Sequence, residues 1–481
     1  MMRCLSLASV LTDAGWDCGF AVNEKSVNII PGLRRHDILN VDTLDDVPKG
    51  MMERWPKPWD LAVVDHYGLD ASFESKLRPQ ARRILVIDDL ADRPHDCDFL
   101  LDQTLGRKPE NYLDNVPSGC RFFFGPLNAL LRSEFAEARI GRIQRKSNNR
   151  LSRIVVCFGA SDPSNLTLDA LEAVAASGLD ISVDALVGSS LTHIDALQRQ
   201  SEKMNQTVNL YIDPHNVAEI LASADLAIGA AGITAWERCC VGLPTLMVVR
   251  ADNQKEIAKA LEKKGAAIIL GRAEGQERMN IGTASRGLRE FAEKPFRLDE
   301  MGKAAFPICD GLGTLRLLMS ILPPELTLER KGVTLRFAEA NDSDTILRWQ
   351  EDERTRRYFR NPGAPNDKEH NDWLSDVLND PKRYLTIIQW DEEPVGVLRL
   401  DRVDRIERET MEISIFVAPK LHGRGIGTAA LKVCHKLWPR NKILAEVLPG
   451  NAASHALFKR AGYKVKSETV YVREPLAMAH L

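Results

Sequence analysis

Two short apolar runs constrain the fold of this chain more than any other feature. Asp60-Leu-Ala-Val-Val-Asp65 and Arg83-Ile-Leu-Val-Ile-Asp88 are apolar at every interior position, and each closes on an aspartate. A strand wetted on one face alternates polar and apolar residues, whereas a strand covered by helices on both faces does not. Runs of this kind, separated by helical stretches, predict buried parallel strands and an α/β architecture. Ligand-facing groups in such sheets gather beyond the carboxyl ends of the strands. Asp65, His66, Tyr67, Asp88 and Asp89 stand at those ends. An aspartate there either caps the next helix or faces a ligand, and both roles stay open.

The same alternation continues along the chain. Residues 5–14 read as a helix ending at Gly15, and 17–22 as a short strand. The basic run Arg139, Arg142, Arg145, Lys146, Ser147, Asn148, Asn149, Arg150 reads as a solvated connector. A second α/β lobe follows, with strands at 153–158, 181–187, 208–212, 226–228 and 245–249 and a helix from about Leu166. Two lobes joined by a link predict a cleft. Leu322-Pro323-Pro324-Glu325 interrupts the pattern, and the segment to Gly332 reads as a linker. Beyond it, strands are predicted at 333–337, 384–389, 396–400 and 412–417, then a helix from about Thr428. The expected domains are 1–145, 151–322 and 332–481, in keeping with 481 residues at roughly 100–200 per domain.

Composition excludes several classes. Lys and Arg number 64 against 67 Asp and Glu, a net charge of −3, which supplies no general attraction to nucleic acid or to an acidic membrane. No apolar stretch reaches the ~18 residues of a membrane span, and Met1-Met2-Arg3-Cys4-Leu5 lacks a signal-peptide pattern. The nine cysteines show neither CxxC pairs nor zinc spacing with histidine, which suits reduced thiols in a cytoplasmic protein without a metal centre.

Two loops fit a diphosphate. Gly159-Ala-Ser-Asp-Pro and Ala230-Ala-Gly-Ile-Thr-Ala-Trp-Glu237 each lead from a strand into a helix. Small residues let backbone N–H groups approach an anion, and a helix N-terminus adds positive potential. Either loop alone is compatible with plain turn chemistry; both in one lobe point to a ligand. Glu237, one turn into its helix, can accept hydrogen bonds from two ribose hydroxyls. Neither loop is a P-loop or G-x-G-x-x-G, which argues against ATPase and dinucleotide chemistry.

A longer series of motifs carries a resemblance. Val63-Val-Asp-His-Tyr-Gly-Leu-Asp70, Ile87-Asp-Asp-Leu-Ala-Asp-Arg-Pro-His-Asp-Cys-Asp-Phe-Leu-Leu-Asp-Gln103 and Gly125-Pro-Leu-Asn-Ala-Leu-Leu-Arg132 belong to it. So do Phe158-Gly-Ala-Ser-Asp-Pro-Ser-Asn-Leu-Thr167, the stretch from Ala230 to Pro244, and Asp252-Asn-Gln254. Over residues 1 to about 320 the chain resembles the UDP-2,4-diacetamido-2,4,6-trideoxy-β-L-altropyranose hydrolases of the pseudaminic-acid pathway. The resemblance implies two Rossmann-like lobes of GT-B type, akin to the lipid II glycosyltransferase that adds N-acetylglucosamine. It implies cleavage of the sugar–UDP bond by water, without a metal. It places UDP-sugar contacts at Gly159, Ser161, Asp162, Gly232, Thr234, Glu237 and Gln254, with Asn253 near the sugar and Asp65 and Tyr67 on the opposite wall. In that family a strand and a G-x-G-H turn, whose His is taken as the base, directly precede Met-Arg-Cys-Leu. Here Met2-Arg-Cys-Leu-Ser-Leu-Ala8 is present and the preceding strand, glycines and His are missing. The expectation is a mis-assigned start, with in-frame upstream DNA encoding that segment.

The last third resembles the GNAT acyltransferases. Glu412-Ile-Ser-Ile-Phe-Val-Ala-Pro-Lys-Leu-His-Gly-Arg-Gly-Ile-Gly-Thr428 is similar to their acetyl-CoA motif, with His422 at the usual Gln or Arg position. Asn451-Ala-Ala-Ser-His-Ala-Leu-Phe-Lys-Arg-Ala-Gly-Tyr463 is similar to a second signature. The resemblance implies acetyl-CoA as cosubstrate, its pyrophosphate on the Gly loop, with contacts at Val417, Arg424, Gly425, Gly427, Thr428 and Asn451. Acetyl transfer needs a neutral amine and therefore a base. Glu412 is the first candidate and Glu446 the second; an ordinary rim carboxylate is the alternative for each. Phe458 stands where many relatives carry a Tyr that protonates the thiolate, so the thiolate here is either protonated by water or left solvated.

The two resemblances imply a bifunctional enzyme acting on a UDP-linked amino-sugar. It would N-acetylate a UDP-4-amino-sugar and then hydrolyse the diacetamido product toward pseudaminic acid, tethering raising the local concentration of the intermediate. The alternatives are a related, legionaminic-type precursor, a UDP-sugar glycosyltransferase, a non-catalytic UDP-sugar-binding lobe, and a GNAT domain acting on a protein N-terminus or another amine.

Overall fold

The computed structural model describes residues 1–145, 150–159, 162–273, 277–361, 363–403 and 410–476. The chain forms two compact units, Met1–Ala8 with Cys18–Thr314 and Ser9–Asp17 with Leu315–Leu481.

The first unit holds two parallel-sheet lobes of GT-B type. Helix α1 (Met2–Asp13) opens the chain, starting three residues earlier than its apolar pattern suggests. Strands β1 (Gly19–Val22) and β2 (Asp37–Asn40) pair only with each other. Strands β3 (Ala62–Val64), β4 (Ile84–Ile87), β5 (Phe99–Asp102) and β6 (Arg121–Phe124) form a parallel sheet in that order. All four residues of β4 and of β5 are buried, as the uniform apolar run of β4 requires.

Helix α2 (Ser133–Gln144) corrects the reading of the basic run as a solvated connector. Arg139, Arg142 and Arg145 recur every third position, so they share one helix face. That face carries them to the carboxyl ends of helices of the second lobe. Arg139 Nη1 donates to the carbonyls of Cys240 (2.8 Å), Phe306 (3.0 Å) and Cys309 (3.1 Å). Arg142 Nη1 donates to Ala224 O (2.8 Å) and Arg145 Nη1 to Ser223 O (2.6 Å). Each guanidinium thereby satisfies orphaned carbonyls at the negative pole of a helix. The rest of the run, 146–149, lies outside the described residues.

The second lobe is a six-stranded parallel sheet of β7 (Arg153–Cys157), β8 (Ser182–Val187), β9 (Val208–Ile212), β10 (Leu226–Ala230), β11 (Thr245–Val249) and β12 (Ala267–Arg272). Its order is β12-β11-β10-β7-β8-β9. From β7 the chain first builds outward through β8 and β9, then returns to lay β10 on the other side. The direction of winding reverses between β7 and β10, and a crevice opens beyond their carboxyl ends. Helices α3 (Leu166–Ser177), α4 (Val217–Ser223) and α5 (Thr234–Cys240) flank this sheet. Helix α5 ends with Gly242 at φ +58°, its N–H donating to Cys239 O (2.9 Å) while Leu243 N donates to Arg238 O (2.9 Å). This is a left-handed glycine cap.

The second unit is built on an eight-stranded sheet. Its strands are β13 (Glu325–Leu326), β14 (Gly332–Phe337), β15 (Arg383–Trp390), β16 (Glu393–Arg402), β17 (Thr410–Val417), β18 (Lys442–Glu446), β19 (Lys464–Val465) and β20 (Val470–Arg473), in the order β13-β14-β15-β16-β17-β18-β20-β19. The segment expected to be a linker therefore joins the sheet: Glu325 and Leu326 pair antiparallel with Val333 and Gly332. Helices α6 (Ser343–Glu351), α7 (Glu353–Arg356), α8 (Asp367–Asn379), α9 (Ile426–Leu437) and α10 (Ala452–Arg460) also belong to this unit. Only β17 and β18 run parallel, and they pair only over Thr410–Glu412 with Lys442–Leu444. Beyond Glu412 the two strands part, so β17 continues through Val417 with no β18 partner.

Candidate active sites

Three strand-end loops border the crevice of the first unit. After β7 the chain passes through Phe158 and Gly159, the glycine at φ +95°. Arg250, following β11, donates from Nη1 to Phe158 O (2.7 Å), tying two of the loops together. The third loop, Ala231-Gly232-Ile233, follows β10. A Cβ added at Gly232 would stand 3.6 Å from Gln254 Nε2, and Gln254 Oε1 accepts from Arg250 N (3.0 Å). Gly159, Gly232 and Gln254 thus share one rim. Ser161 lies outside the described residues.

Two predicted contacts are turned partly inward. Asp162 is buried, and its Oδ2 accepts from Thr167 N and Oγ1, both at 2.8 Å, fixing the start of α3. Its Oδ1 is buried without a hydrogen-bond partner among the described residues. The Thr234 hydroxyl accepts from Arg238 Nη1 (3.2 Å). Arg238 is fully buried and also donates to Ala230 O (2.6 Å) and Thr245 Oγ1 (3.1 Å), so three polar partners compensate its desolvation. Glu237 is different: it is half-buried and its carboxylate takes no hydrogen bond among the described residues. Burial pushes the Glu237 carboxyl up, and the charges of Arg132 and Arg238 pull it part of the way back.

The opposite wall departs from expectation at Asp65. Its carboxylate binds Arg3 (Nη2–Oδ1 2.6 Å) and the terminal ammonium of Met1 (3.0 Å). Burial alone would raise the Asp65 carboxyl; the hydrogen bond and charge of Arg3 instead hold it well below the usual carboxylate range. Asp65 is thereby committed to anchoring α1. Tyr67 does face the crevice. Its hydroxyl donates to Asp89 Oδ2 (3.1 Å) and accepts from Asn253 Nδ2 (3.3 Å), so Tyr67 and Asn253 meet across the two lobes. Burial and the Asp89 charge push the Tyr67 hydroxyl up, keeping it a donor. Burial also pushes the Asp89 carboxyl up, against the charge of Arg3, 3.7 Å away, and the bond from Tyr67.

In the second unit the parting of β17 and β18 sets the geometry. Glu412 is the last β17 residue paired across it, and Glu446 ends β18 two residues beyond Leu444. Both candidate bases meet one guanidinium: Arg360 Nη2 donates to Glu412 Oε1 and to Glu446 Oε2, the latter at 2.5 Å. The Gly loop follows β17. Gly423 (φ +82°) and Gly425 (φ +84°) bend it into α9. Arg424 is exposed, 3.3 Å from Glu329 and stacked over the Trp390 ring at 5.5 Å. Gly427 is constrained by packing, since a Cβ there would stand 3.3 Å from Leu457 of α10. Thr428 sits half-buried in the first turn of α9. The Val417 carbonyl lies 2.9 Å from His422 Nε2, so the residue at the atypical motif position closes the loop onto its strand. Asn451 Oδ1 caps α10 through Ser454 N (3.1 Å), leaving its amide N–H₂ for a ligand. Phe458 is buried between the Tyr463 and Tyr471 rings and has no proton to give. Among the described residues no cluster of three or more His, Cys, Asp or Glu could hold a metal, and no helix is long and apolar enough to cross a membrane.

Residues 154–307 match the glycosyltransferase family 28 C-terminal domain, and 333–464 match the acetyltransferase (GNAT) domain. Over 296 residues the chain is 30% identical to the spore coat polysaccharide biosynthesis protein SpsG of Bacillus subtilis, covering 60% of this chain and 81% of that one. The chain belongs to the SpsG family. Its SpsG-like part is also homologous to the UDP-2,4-diacetamido-2,4,6-trideoxy-beta-L-altropyranose hydrolase of Campylobacter jejuni, 26% identical over 208 residues, 43% of this chain and 72% of that one. A protein of Methanocaldococcus jannaschii, MJ1062, is 22% identical over 416 residues, 84% of this chain and 81% of that one. This SpsG-family member thus fuses a sugar-nucleotide-type unit to a GNAT acetyltransferase domain.

Sequence reasoning missed two residues of these sites, Arg3 and Arg360, and named a third, Asp89, with no role of its own. Asp89 was visible only as the second acid of a strand-end pair whose first, Asp88, is consumed internally by Ala91 N and Tyr112 Oη, both at 2.8 Å. Arg3 was visible as the lone charge in the apolar stretch 2–8. Arg360 gave no signal, since it lies outside every motif and reaches its partners from 52 and 86 residues away.

Proposed function

We propose that the chain carries out two steps on one nucleotide-sugar of the pseudaminic-acid type. The GNAT domain acetylates the 4-amino group of a UDP-amino-sugar with acetyl-CoA. The first unit then hydrolyses UDP-2,4-diacetamido-2,4,6-trideoxy-β-L-altropyranose to the free sugar and UDP. The observation that carries the hydrolytic reading is Glu237, a carboxylate without a hydrogen-bond partner among the described residues, in a crevice spanned by the Tyr67–Asn253 pair. Glu237 holds two ribose hydroxyls. Backbone N–H groups around Gly159 and Gly232 receive the diphosphate, with the positive pole of α3 behind them. Tyr67 and Asn253 flank the sugar. UDP leaves readily, so the protein's work is to hold its growing charge and to aim water at an anomeric carbon with oxocarbenium character.

In the GNAT domain, the loop from Gly423 to Gly427 and the first turn of α9 bind the donor's pyrophosphate. The unpaired edge of β17 offers backbone groups to its extended arm, and Asn451 and Thr428 offer side-chain contacts. Glu412 or Glu446 takes a proton from the acceptor ammonium. The amine nitrogen then forms the new C–N bond and gives up its second proton to water as the thioester C–S bond breaks, and the departing thiolate takes a proton from water.

The test is UDP release from the diacetamido UDP-sugar with no acceptor added, by this chain and by a version extended with an upstream G-x-G-H segment. Release by either supports hydrolysis. Release by the extended version alone assigns the water's proton to that His. Release only when an acceptor sugar or lipid is supplied would make the first unit a glycosyltransferase.

A further inference from the structure

The segment that ties down both candidate bases is strongly basic, and acetyl transfer alone does not explain it. It reads Glu353-Arg354-Thr-Arg-Arg-Tyr-Phe-Arg360, formed by α7 and the turn after it. Three contacts hold it across the fork of β17 and β18. The Tyr358 hydroxyl donates to Gly450 O (3.3 Å), the Phe359 ring lies 5.7 Å from Phe416 of β17, and Arg360 bridges Glu412 and Glu446. Arg354 is neutralised by Asp352 at 2.9 Å. Arg356 and Arg357 are not paired with any acid among the described residues. Arg356 stacks on Phe359 (5.0 Å) with its Nε buried and unpartnered, and exposed Arg357 stacks on Tyr358 (5.4 Å). Among the described residues, one edge of the acceptor site therefore carries two guanidinium groups without a counter-charge. A third is shared between two carboxylates and is itself 63% exposed.

We propose that this edge reads the diphosphate of a nucleotide-linked amine, and that the diphosphate draws Arg360 off Glu412 and Glu446. The inference rests on the proposed acetylation of a UDP-linked amine, and it names the residues that read the nucleotide and the side chain that couples it to the base. A guanidinium is a planar fork that matches phosphate oxygens two at a time. Exposed ion pairs contribute little, so Arg360 changes partner at small cost. While Arg360 sits between them, one oxygen of each carboxylate is taken up by its guanidinium. Once it turns to phosphate, one carboxylate takes a proton from the acceptor ammonium and the free amine attacks the thioester. A peptide N-terminus or a free amino-sugar brings an amine but no polyanion, and leaves Arg360 in place. Base and acceptor recognition are thus coupled through one side chain.

The experiment follows coenzyme A thiol release by the full chain with three acceptors: the UDP-4-amino-sugar, the same amino-sugar without its nucleotide, and a peptide with a free N-terminus. The expected result is a kcat/KM at least about 100-fold higher for the UDP-linked acceptor, the worth of two charge-assisted contacts. Arg357→Ala is expected to raise KM for the UDP-linked acceptor about tenfold and to leave the free amino-sugar unchanged, with Arg357→Lys recovering part of the loss. Arg360→Gln is expected to raise kcat for the free amino-sugar toward that of the UDP-linked one. Equal kcat/KM for the two sugars, a preference for the peptide, or an Arg357→Ala effect common to all acceptors overturns the inference while leaving acetyl transfer intact. Thiol release with none of the three overturns the acetyl-transfer reading itself, and this inference with it.

Discussion

Which arginine a carboxylate faces decides its role in this chain. Asp65 is saturated by Arg3 and so is structural. Removing Arg3 leaves a largely buried carboxylate short of its main partner, so Arg3→Ala is expected to destabilise the first unit by about 3 kcal/mol in urea unfolding at pH 7. The pH dependence has a definite sign. Because its folded-state pKa is depressed, Asp65 contributes stability above its unfolded value of about 3.9 and loses that contribution as pH falls further. The difference in urea midpoint between the native chain and Asp65→Asn should therefore narrow below about pH 4. Glu237 has no such partner, and its replacement is read in binding. Glu237→Ala should weaken UDP binding about tenfold or more by calorimetry, as expected for losing hydrogen bonds to a charged acceptor. The identity of Glu237 as the uncommitted acid was legible from its place one turn into a helix after a small-residue loop. The commitment of Asp65 was not, because its partner lies 62 residues away in sequence.

Elements dock in this fold through their ends as much as through their faces. Helix α2 is held by arginines on the carbonyl ends of neighbouring helices. Arg139 alone serves three carbonyls. Arg139→Ala should cost about 2 kcal/mol in urea unfolding, and Arg139→Lys nearly as much, because an ammonium lacks the planar fork that spans separate acceptors. The spacing 139, 142, 145 was the available signal for this, and counting the stretch as an undirected charge run concealed it. The turn after α5 supplies a second case. Gly242 adopts a left-handed conformation, and a Cβ there would stand 2.4 Å from the Phe306 ring. Gly242→Ala combines backbone strain with overpacking and should lower stability by about 2 kcal/mol or more, measured as a fall in unfolding midpoint.

At the scale of the whole molecule, the two proposed activities are assigned to two compact units, and each should fail separately. Glu412→Gln removes the first candidate base and is expected to lower acetyl transfer about 10²–10⁴-fold while UDP release from externally supplied diacetamido UDP-sugar continues. Glu237→Ala should do the reverse, so that a reaction begun from the UDP-amino-sugar accumulates the acetylated UDP-sugar. Chromatography of the two mixtures tests both outcomes. A shared loss in both variants would mean that the two activities depend on one site.

The sequence by itself determined the architecture, because burial on both faces leaves a uniform apolar run and a Gly loop before a helix leaves a spacing. It also determined the family likeness and the rims on which Gly159, Gly232, Glu237, Arg424 and Gly425 stand. These are local signals, carried by neighbours in the chain. Only the tertiary structure decided which polar groups are already spent. Asp65 goes to Arg3 from 62 residues away, and Tyr67 reaches Asn253 from 186 residues away. It likewise decided that Glu412 and Glu446 share Arg360, because a guanidinium's partners are set by what the fold brings within about 3 Å, and no pattern of neighbouring residues encodes that distance.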